Sequence, residues 1–127
     1  MASVITLTPS DLEFGHNVTA ELKKKKFPYC GVFWLYDDNF DDWRLIVATG
    51  LVDEVGPRET YLRLSKITDR VAASDFQLLR ITVISPKRPI YAALRSVFGS
   101  AKSVEGARLD NTTVNGFSVT AYLYEVG

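Results

Sequence analysis

Few residues in this chain are of the types that most often carry out catalysis. His16 is the only histidine and Cys30 is the only cysteine. A triad needs a histidine within reach of a nucleophile, and no nucleophile motif surrounds His16. The single acid-x-lysine motif of the restriction-nuclease type, Glu21-Leu22-Lys23, falls in a predicted helix rather than on a strand. The sequence therefore predicts no catalytic site built on these groups, and no cofactor.

A six-residue acidic turn, DDNFDD at residues 37–42, has the only spacing that is similar to a metal-binding loop. Asp37, Asn39 and Asp41 alternate as the first ligands of a calcium loop do. The next position is Asp42 rather than glycine, and Ala48 stands where a bidentate glutamate would have to close the site. We therefore expect a hydrated turn and no bound metal.

The same acidic turn is the preferred contact for a protein partner. Its four carboxylates repel one another, and asparagine and glycine serve a hairpin turn better. A basic partner would offset this repulsion, and aromatic residues beside charges are frequent in protein–protein hot spots. A polar turn above core aromatics is the alternative interpretation. The predicted partner contacts are Asp37, Asp38, Phe40, Asp41 and Asp42.

A second candidate site is the segment 52–58, VDEVGPR, which follows a predicted strand. Ligand crevices in open α/β sheets lie at the carboxyl ends of strands. The predicted ligand contacts are Asp53, Glu54 and Arg58. Alternatively, Asp53 or Glu54 caps the next helix, while Gly56 makes the turn.

Eight elements are expected to position these residues. The first helix has Thr8, Pro9 and Asp11 as a near capping box, and Asn115-Gly116 predicts a type I′ turn, in which both central residues need positive φ. The predicted elements are a helix from Pro9 that Phe27-Pro28 stops, strands at 29–36 and 43–48, a loop at 51–56, a helix from Pro57 to about Ala72, a strand at 76–85, a short helix at 89–98 and a hairpin at 104–126.

This order of elements predicts an α+β fold, a mixed five-strand sheet with about three helices packed mainly on one face. Both strand–helix–strand connections are expected to be right-handed crossovers. The 127 residues, of which 46% are hydrophobic, form a single domain with one core.

The composition limits the classes of partner. The formal net charge is zero, so no long-range field attracts nucleic acid or an anionic membrane. The four lysines from Lys23 to Lys26 would bind nucleic acid only weakly and with strong salt sensitivity. We expect no membrane span, because no apolar run approaches about 20 residues. No signal segment is visible, which favours a cytoplasmic location.

Three segments in roughly the middle third of the chain, FWLY, WRLIVA and VDEVGPRETYLRL, carry a family resemblance. They resemble the corresponding segments of a group of small stand-alone bacterial proteins. The resemblance implies a bacterial or mobile-element origin and no particular activity.

The sequence thus predicts a non-enzymatic binding or adaptor module that acts through a protein partner, in the manner of an antitoxin, an immunity protein or an accessory subunit. The alternative is a nucleic-acid-associated protein or a degenerate nuclease-like subunit of a bacterial defence or mobile-element system. A small-molecule enzyme that uses the segment 52–58 is a third class. The oligomeric state stays open.

Overall fold

The computed structural model describes residues 7–37, 41–72, 74–98 and 103–127. Helices and strands are mixed along these residues. The elements are α1 (Pro9–Lys24), β1 (Gly31–Asp37), β2 (Asp42–Ala48), α2 (Leu51–Thr68), α3 (Asp75–Leu79), β3 (Ile81–Ile84), α4 (Pro89–Phe98), β4 (Ser103–Val114) and β5 (Phe117–Val126).

The strands form one mixed sheet in the order β3-β2-β1-β5-β4. β2 and β3 are parallel, and the other neighbouring pairs are antiparallel. The predicted α+β fold with a mixed five-strand sheet is confirmed. β1 and β2 are apolar at nearly every position because they lie inside the sheet and are covered on both sides.

Helices cover both faces of the sheet. α1 and α2 pack on one face, in a cluster that includes Trp34, Leu45 and Tyr124. α4 packs on the other face, in a cluster that includes Phe33 and Leu123. The first face therefore carries two of the three longer helices, as expected, and the third helix covers the opposite face.

The connection from β3 to β4 is not the parallel crossover that the sequence predicted. β3 and β4 are the two edges of the sheet, and the pairings between them make their directions opposite. α4 carries the chain from one edge to the other across the second face. This route follows from the central strands, whose apolar side chains point to both faces: without α4, Phe33 and Ile46 would lie in water.

α1 begins with the capping box that the sequence predicts. The Thr8 side chain accepts a hydrogen bond from the amide of Asp11 (3.1 Å), and the Asp11 carboxylate accepts one from the amide of Thr8 (3.0 Å). Gly15 lies inside this helix, where glycine is unfavourable. The structure explains its presence, because a Cβ at this position would collide with the ring of Tyr124.

α1 ends in a Schellman motif. The amide of Phe27 donates to the carbonyl of Leu22 (2.9 Å), and the amide of Lys26 donates to the carbonyl of Lys23 (3.1 Å). Phe27 and Leu22 are both buried. Lys26 occupies the position that usually carries glycine, and it adopts a left-handed φ of 55°.

Two segments differ from the prediction. Residues 51–56, predicted as a loop, form the first part of α2, and Gly56 interrupts the helix with φ 85° and ψ 164°. Pro57 then begins the second part, as predicted, and the helix ends at Thr68 rather than near Ala72. The predicted strand at 76–85 is divided into α3 and β3, because its first half (FQLL) lacks the β-branched residues that its second half (ITVI) has.

The predicted second hairpin is confirmed. Asn115 (φ 48°) and Gly116 (φ 84°) form the tight turn between β4 and β5 with the positive φ values of a type I′ turn. β4 is an edge strand whose pairing is shifted twice, beside Gly106 (φ 95°) and beside Asn111 (φ 47°). Such irregularities protect an exposed edge from pairing with another chain.

We expect Lys26→Gly to stabilise the domain by about 0.5–1 kcal/mol, because it removes the steric cost of a left-handed side chain. Lys25→Gly is the matched control, since Lys25 has an ordinary φ of −88° and should lose a few tenths of a kcal/mol instead. The measurement is the urea midpoint of each variant. Equal effects at the two positions would contradict the assigned helix end.

Candidate functional site

A cleft of about 270 Å³ opens on the face that α1 and α2 share, beyond the start of α1. The residues around it come from the segment just before α1, from β2 and from the β4–β5 hairpin. They include Leu7, Trp43, Arg108, Asp110, Thr120 and Tyr122. We call this site the aromatic cleft. It is larger than a second concavity, of about 70 Å³, that α2 borders.

Contacts between rings fix the aromatic residues of the cleft. Trp43 is only 7% exposed and meets Tyr36 edge to face, with ring centroids 5.7 Å apart. Tyr122 meets Tyr124 in the same way at 5.3 Å. The guanidinium carbon of Arg108 lies 5.1 Å from the centroid of the Tyr122 ring. The cleft therefore already holds one cation–π contact, and its rings are preorganised for another.

The acidic turn adjoins this cleft. Asp37 and Asp42 face each other across the ends of β1 and β2, and Trp43, which follows Asp42, lines the cleft. Two of the predicted partner contacts, Asp38 and Phe40, lie outside the described residues. The described residues of the predicted contact region thus lie close to the aromatic cleft through Trp43.

Groups within the chain offset part of the charge of the acidic turn. The hydroxyl of Tyr36 donates to the carboxylate of Asp41. The carboxylate of Asp42 accepts a hydrogen bond from the amide of Trp43 (2.7 Å) and lies 3.6 Å from Arg80. The density of carboxylates alone is therefore weaker evidence for a partner than the sequence indicated.

Arg80 is the most deeply buried cation of the described residues. It is 7% exposed and lies between α3 and β3. Its Nη1 is 2.7 Å from Asp11, its Nε donates to the carbonyl of Trp43 (3.4 Å), and its guanidinium carbon lies 4.7 Å above the Trp34 ring. Sequence reasoning missed this residue, although a single charge inside the apolar run QLLRITVI is the signal that could have found it.

The predicted ligand segment, 52–58, follows the carboxyl end of β2, as expected from the sequence, but it belongs to α2. Asp53 accepts a hydrogen bond from Ser85 Oγ (2.7 Å), and Ser85 follows β3 at the same edge of the sheet. Glu54 and Arg58 are exposed. The structure therefore connects one of the three predicted ligand contacts to the neighbouring strand.

The groups considered for catalysis lie apart from the cleft. His16 Nδ1 is 3.0 Å from the carboxylate of Glu105, on the exposed side of α1. Lys23, of the acid-x-lysine motif, pairs with Glu125 rather than with Glu21. Among the residues that the structure describes, no group of three or more histidine, cysteine or acidic side chains could hold a metal ion. In the same part of the chain, no helix is long and apolar enough to cross a membrane.

Two tyrosines near α1, the half-buried Tyr29 and the buried Tyr124, keep their protons. Burial raises the pKa of Tyr29, and the Glu125 carboxylate, which accepts its hydroxyl at 2.8 Å, raises this pKa further. Burial also raises the pKa of Tyr124, whose hydroxyl donates to the carbonyl of Leu12 (2.7 Å) and accepts from the indole of Trp34 (3.2 Å). These phenols hold elements together, and because their protons are held tightly they stay neutral and are poor acids.

No match to this chain was found among protein-family models, curated proteins or solved structures. The resemblance of its middle segments to small bacterial proteins therefore stays a prediction.

We expect Arg80→Ala to destabilise the domain by about 3 kcal/mol or more, because it leaves the largely buried carboxylate of Asp11 without its ion-pair partner. Arg63→Ala is the control, since Arg63 pairs with Glu59 at 2.9 Å on an exposed helix surface. It should cost less than about 0.5 kcal/mol. Urea unfolding measures both, and a loss below about 1 kcal/mol for Arg80→Ala would contradict the role given to this network.

Proposed function

We propose that this protein is a non-enzymatic module that binds a protein partner through the aromatic cleft and the adjoining acidic turn. The observation that carries the proposal is an aromatic-lined cleft with the carboxylate of Asp110 in its lining and the described part of the acidic turn next to Trp43 in the chain. Aromatic side chains with few rotatable bonds dominate the energetics of protein–protein contacts. An antitoxin, an immunity protein or an accessory subunit would act through such a surface.

The chemistry of the cleft favours a basic segment of the partner. Asp110, on β4, lines the cleft itself, and Asp41 and Asp42 directly precede Trp43, which also lines it. Arg108 makes a cation–π contact with Tyr122, and an arginine of the partner would make the same type of contact with these rings. The carboxylates would steer such a segment towards the cleft and set its orientation.

A labelled hexa-arginine peptide tests this proposal by fluorescence anisotropy at low salt. The double variant Asp41→Asn/Asp110→Asn should weaken binding about fivefold to tenfold, because two attractive pairs are lost. Glu54→Gln/Asp69→Asn removes the same charge elsewhere and should change the affinity less than about twofold.

The position of the bound peptide gives the second readout. Amide shifts in an NMR titration should concentrate on Arg108, Thr120 and Tyr122, together with the indole of Trp43. An equal loss of affinity in the control variant, or shifts that centre on another surface, would refute the assignment of the cleft.

A second candidate function rests on the opposite end of the sheet, which is basic. Thr49, directly after β2, ties two segments together: its hydroxyl donates to the carbonyl of Pro28 (2.6 Å), and its amide donates to the carbonyl of Ile84 (3.0 Å). Exposed cations precede Pro28 and follow Ile84. They are Lys24, Lys25, Lys26, Lys87 and Arg88.

These cations support nucleic-acid binding better than the lysine run alone did. Five positive charges come from two segments that Thr49 joins. Among the residues close to Thr49 in sequence, only Asp53 and Glu54 carry the opposite charge. Sequence reasoning treated Lys23 to Lys26 in isolation, because nothing local connects them to Lys87. Five contacts to phosphates would still give modest affinity.

Labelled double-stranded DNA tests this second function. Five phosphate contacts predict a slope of up to about −4.5 for the logarithm of affinity against the logarithm of salt concentration. Lys87→Gln/Arg88→Gln should reduce the slope by about 2, whereas Lys66→Gln/Arg70→Gln, in the last turn of α2 and just after it, should leave the slope unchanged. If the two double variants weakened DNA binding equally, the basic end would not be the DNA contact.

A further inference from the structure

The turn between β4 and β5 places an asparagine directly before a glycine at an exposed corner of the molecule. Asn115 and Gly116 are both exposed, and both have a left-handed backbone, with φ 48° and φ 84°. In this dipeptide the backbone nitrogen of the glycine can attack the side-chain amide of the asparagine, because glycine has no Cβ to shield that nitrogen. A Cβ built at Gly116 would meet no atom within 4 Å outside its chain neighbours, so no other part of the described protein covers the turn there.

The amide nitrogen of Gly116 lies outside the ladder of the hairpin. The last cross-strand pair before the turn joins Val114 and Phe117. In a two-residue turn the hydrogen bond that closes the turn joins these flanking residues, and the amide of the second turn residue takes no part in it. Attack by the Gly116 nitrogen therefore breaks no hydrogen bond of the sheet.

The side-chain amide of Asn115 has only a weak contact with the rest of the protein. Its Nδ2 lies 3.4 Å from the hydroxyl oxygen of Ser96, which is long for a hydrogen bond. The same hydroxyl donates to the carbonyl of Ala93 at a much shorter 2.6 Å. The amide of Asn115 can therefore turn towards the backbone of Gly116 at little cost.

Asn111 provides the comparison within the same strand, because it is also exposed and has nearly the same φ of 47°. Its side-chain oxygen accepts the hydroxyl of Ser118 at 2.6 Å, and its backbone amide donates to the hydroxyl of Thr120 at 2.9 Å. The residue after it is Thr112, whose β-branched side chain crowds the nitrogen that would have to attack. Asn111 is therefore held away from the reaction that Asn115 can undergo.

The end of the hairpin can open without disturbing the rest of the sheet. Among the described residues, β1 pairs with β5 only as far as Leu35 and Ala121, so the hairpin continues beyond that point as a ribbon of two strands. Such a ribbon is marginally stable by itself, and opening its outermost turn costs far less than unfolding the domain. This opening supplies the backbone rotation that brings the Gly116 nitrogen to the side chain of Asn115.

We propose that Asn115 is a site of spontaneous deamidation in the folded protein. The nitrogen of Gly116 forms a bond to Cγ of Asn115, the bond from Cγ to Nδ2 breaks, and ammonia leaves with the proton that the Gly116 nitrogen gives up. Water then opens the cyclic imide at either of its two carbonyl groups. One route leaves an aspartate at position 115, and the other leaves an isoaspartate, in which the side-chain carbons become part of the backbone.

An isoaspartate at position 115 would change the hairpin itself. It adds one atom to the backbone between Val114 and Phe117 and a negative charge to the turn. A type I′ turn fits two residues of ordinary length, and Val114 is only 8% exposed, so a disturbed pair uncovers apolar surface. The same hairpin carries Arg108 and Tyr122 of the aromatic cleft. Aged protein should therefore differ from new protein in the hairpin that forms one wall of that cleft.

Incubation of the full chain in mildly alkaline buffer, followed by peptide mass spectrometry, tests the proposal. Trypsin releases one peptide, residues 109–127, that contains both Asn111 and Asn115, so the two sites are compared in the same molecule. Loss of the side-chain amide should be at least about tenfold faster at Asn115 than at Asn111, because Thr112 shields the attacking nitrogen there. Digestion in heavy-oxygen water separates deamidation during incubation from deamidation during digestion.

Gly116→Asn tests whether the Gly116 nitrogen is the attacking group. Asparagine tolerates a left-handed φ, so the turn is kept, while the new side chain shields the nitrogen. This variant should lose the Asn115 amide at least about tenfold more slowly than the native chain. Asn115→Asp carries the added charge on an ordinary backbone, so the isoaspartate form should have a lower urea midpoint than Asn115→Asp.

Three results would overturn the proposal. The first is a folded chain whose Asn115 stays unchanged over a time in which the guanidinium-unfolded chain is converted, since the fold then protects the site. The second is equal rates at Asn111 and Asn115 in the folded chain. The third is a Gly116→Asn variant that is folded by circular dichroism and loses the Asn115 amide as fast as the native chain.

Discussion

The position of α1 on the sheet depends on the contacts of Tyr124. The hydroxyl of this residue joins the indole of Trp34, inside the sheet, to the backbone of α1 at Leu12, and its ring occupies the space that Gly15 leaves open. A register shift where β1 pairs with the end of β5 accompanies this arrangement, and Glu125, next in the chain, reaches Lys23 near the end of the helix. α1 is thus held at its middle and its end, while Arg80 holds its first turn through Asp11. The same placement sets where the helix stops covering the sheet and the aromatic cleft begins.

Features decided by neighbouring residues were predictable from the sequence. The capping box of α1, the Asn115-Gly116 turn and the apolar central strands each depend on a few adjacent side chains and their backbone preferences. Features decided by distant residues were not predictable. The strand order and the path of α4 across the second face depend on which apolar surfaces need cover, and the role of Arg80 depends on Asp11 and Asp42, far away in the chain.

The candidate site divides in the same way. Its acidic half is one continuous segment and could be recognised as unusual from residues 37–42 alone. Its aromatic half brings Trp43 together with Tyr122 and Arg108, which only the pairing of β4 with β5 and of β5 with β1 makes neighbours. The internal partners of Asp41 and Asp42 were equally hidden, so the sequence overstated how much unpaired charge the turn carries. The net charge of the whole chain does not reveal such local pairing, because it records the amount of charge and not its position.

That distinction between amount and position has a physical consequence for the whole molecule. The described residues of the acidic turn lie at one end of β1 and β2 and the lysine-rich segments lie at the other, so a chain of zero net charge carries groups of opposite charge at the two ends of its sheet. In dilute buffer we expect such a molecule to turn in the field of a charged surface before it touches that surface, and to be retained by both cation-exchange and anion-exchange resins. Added salt screens the attraction between the acidic end of one molecule and the basic end of its neighbour. The protein should consequently salt in, dissolving more readily as ionic strength rises from very low values.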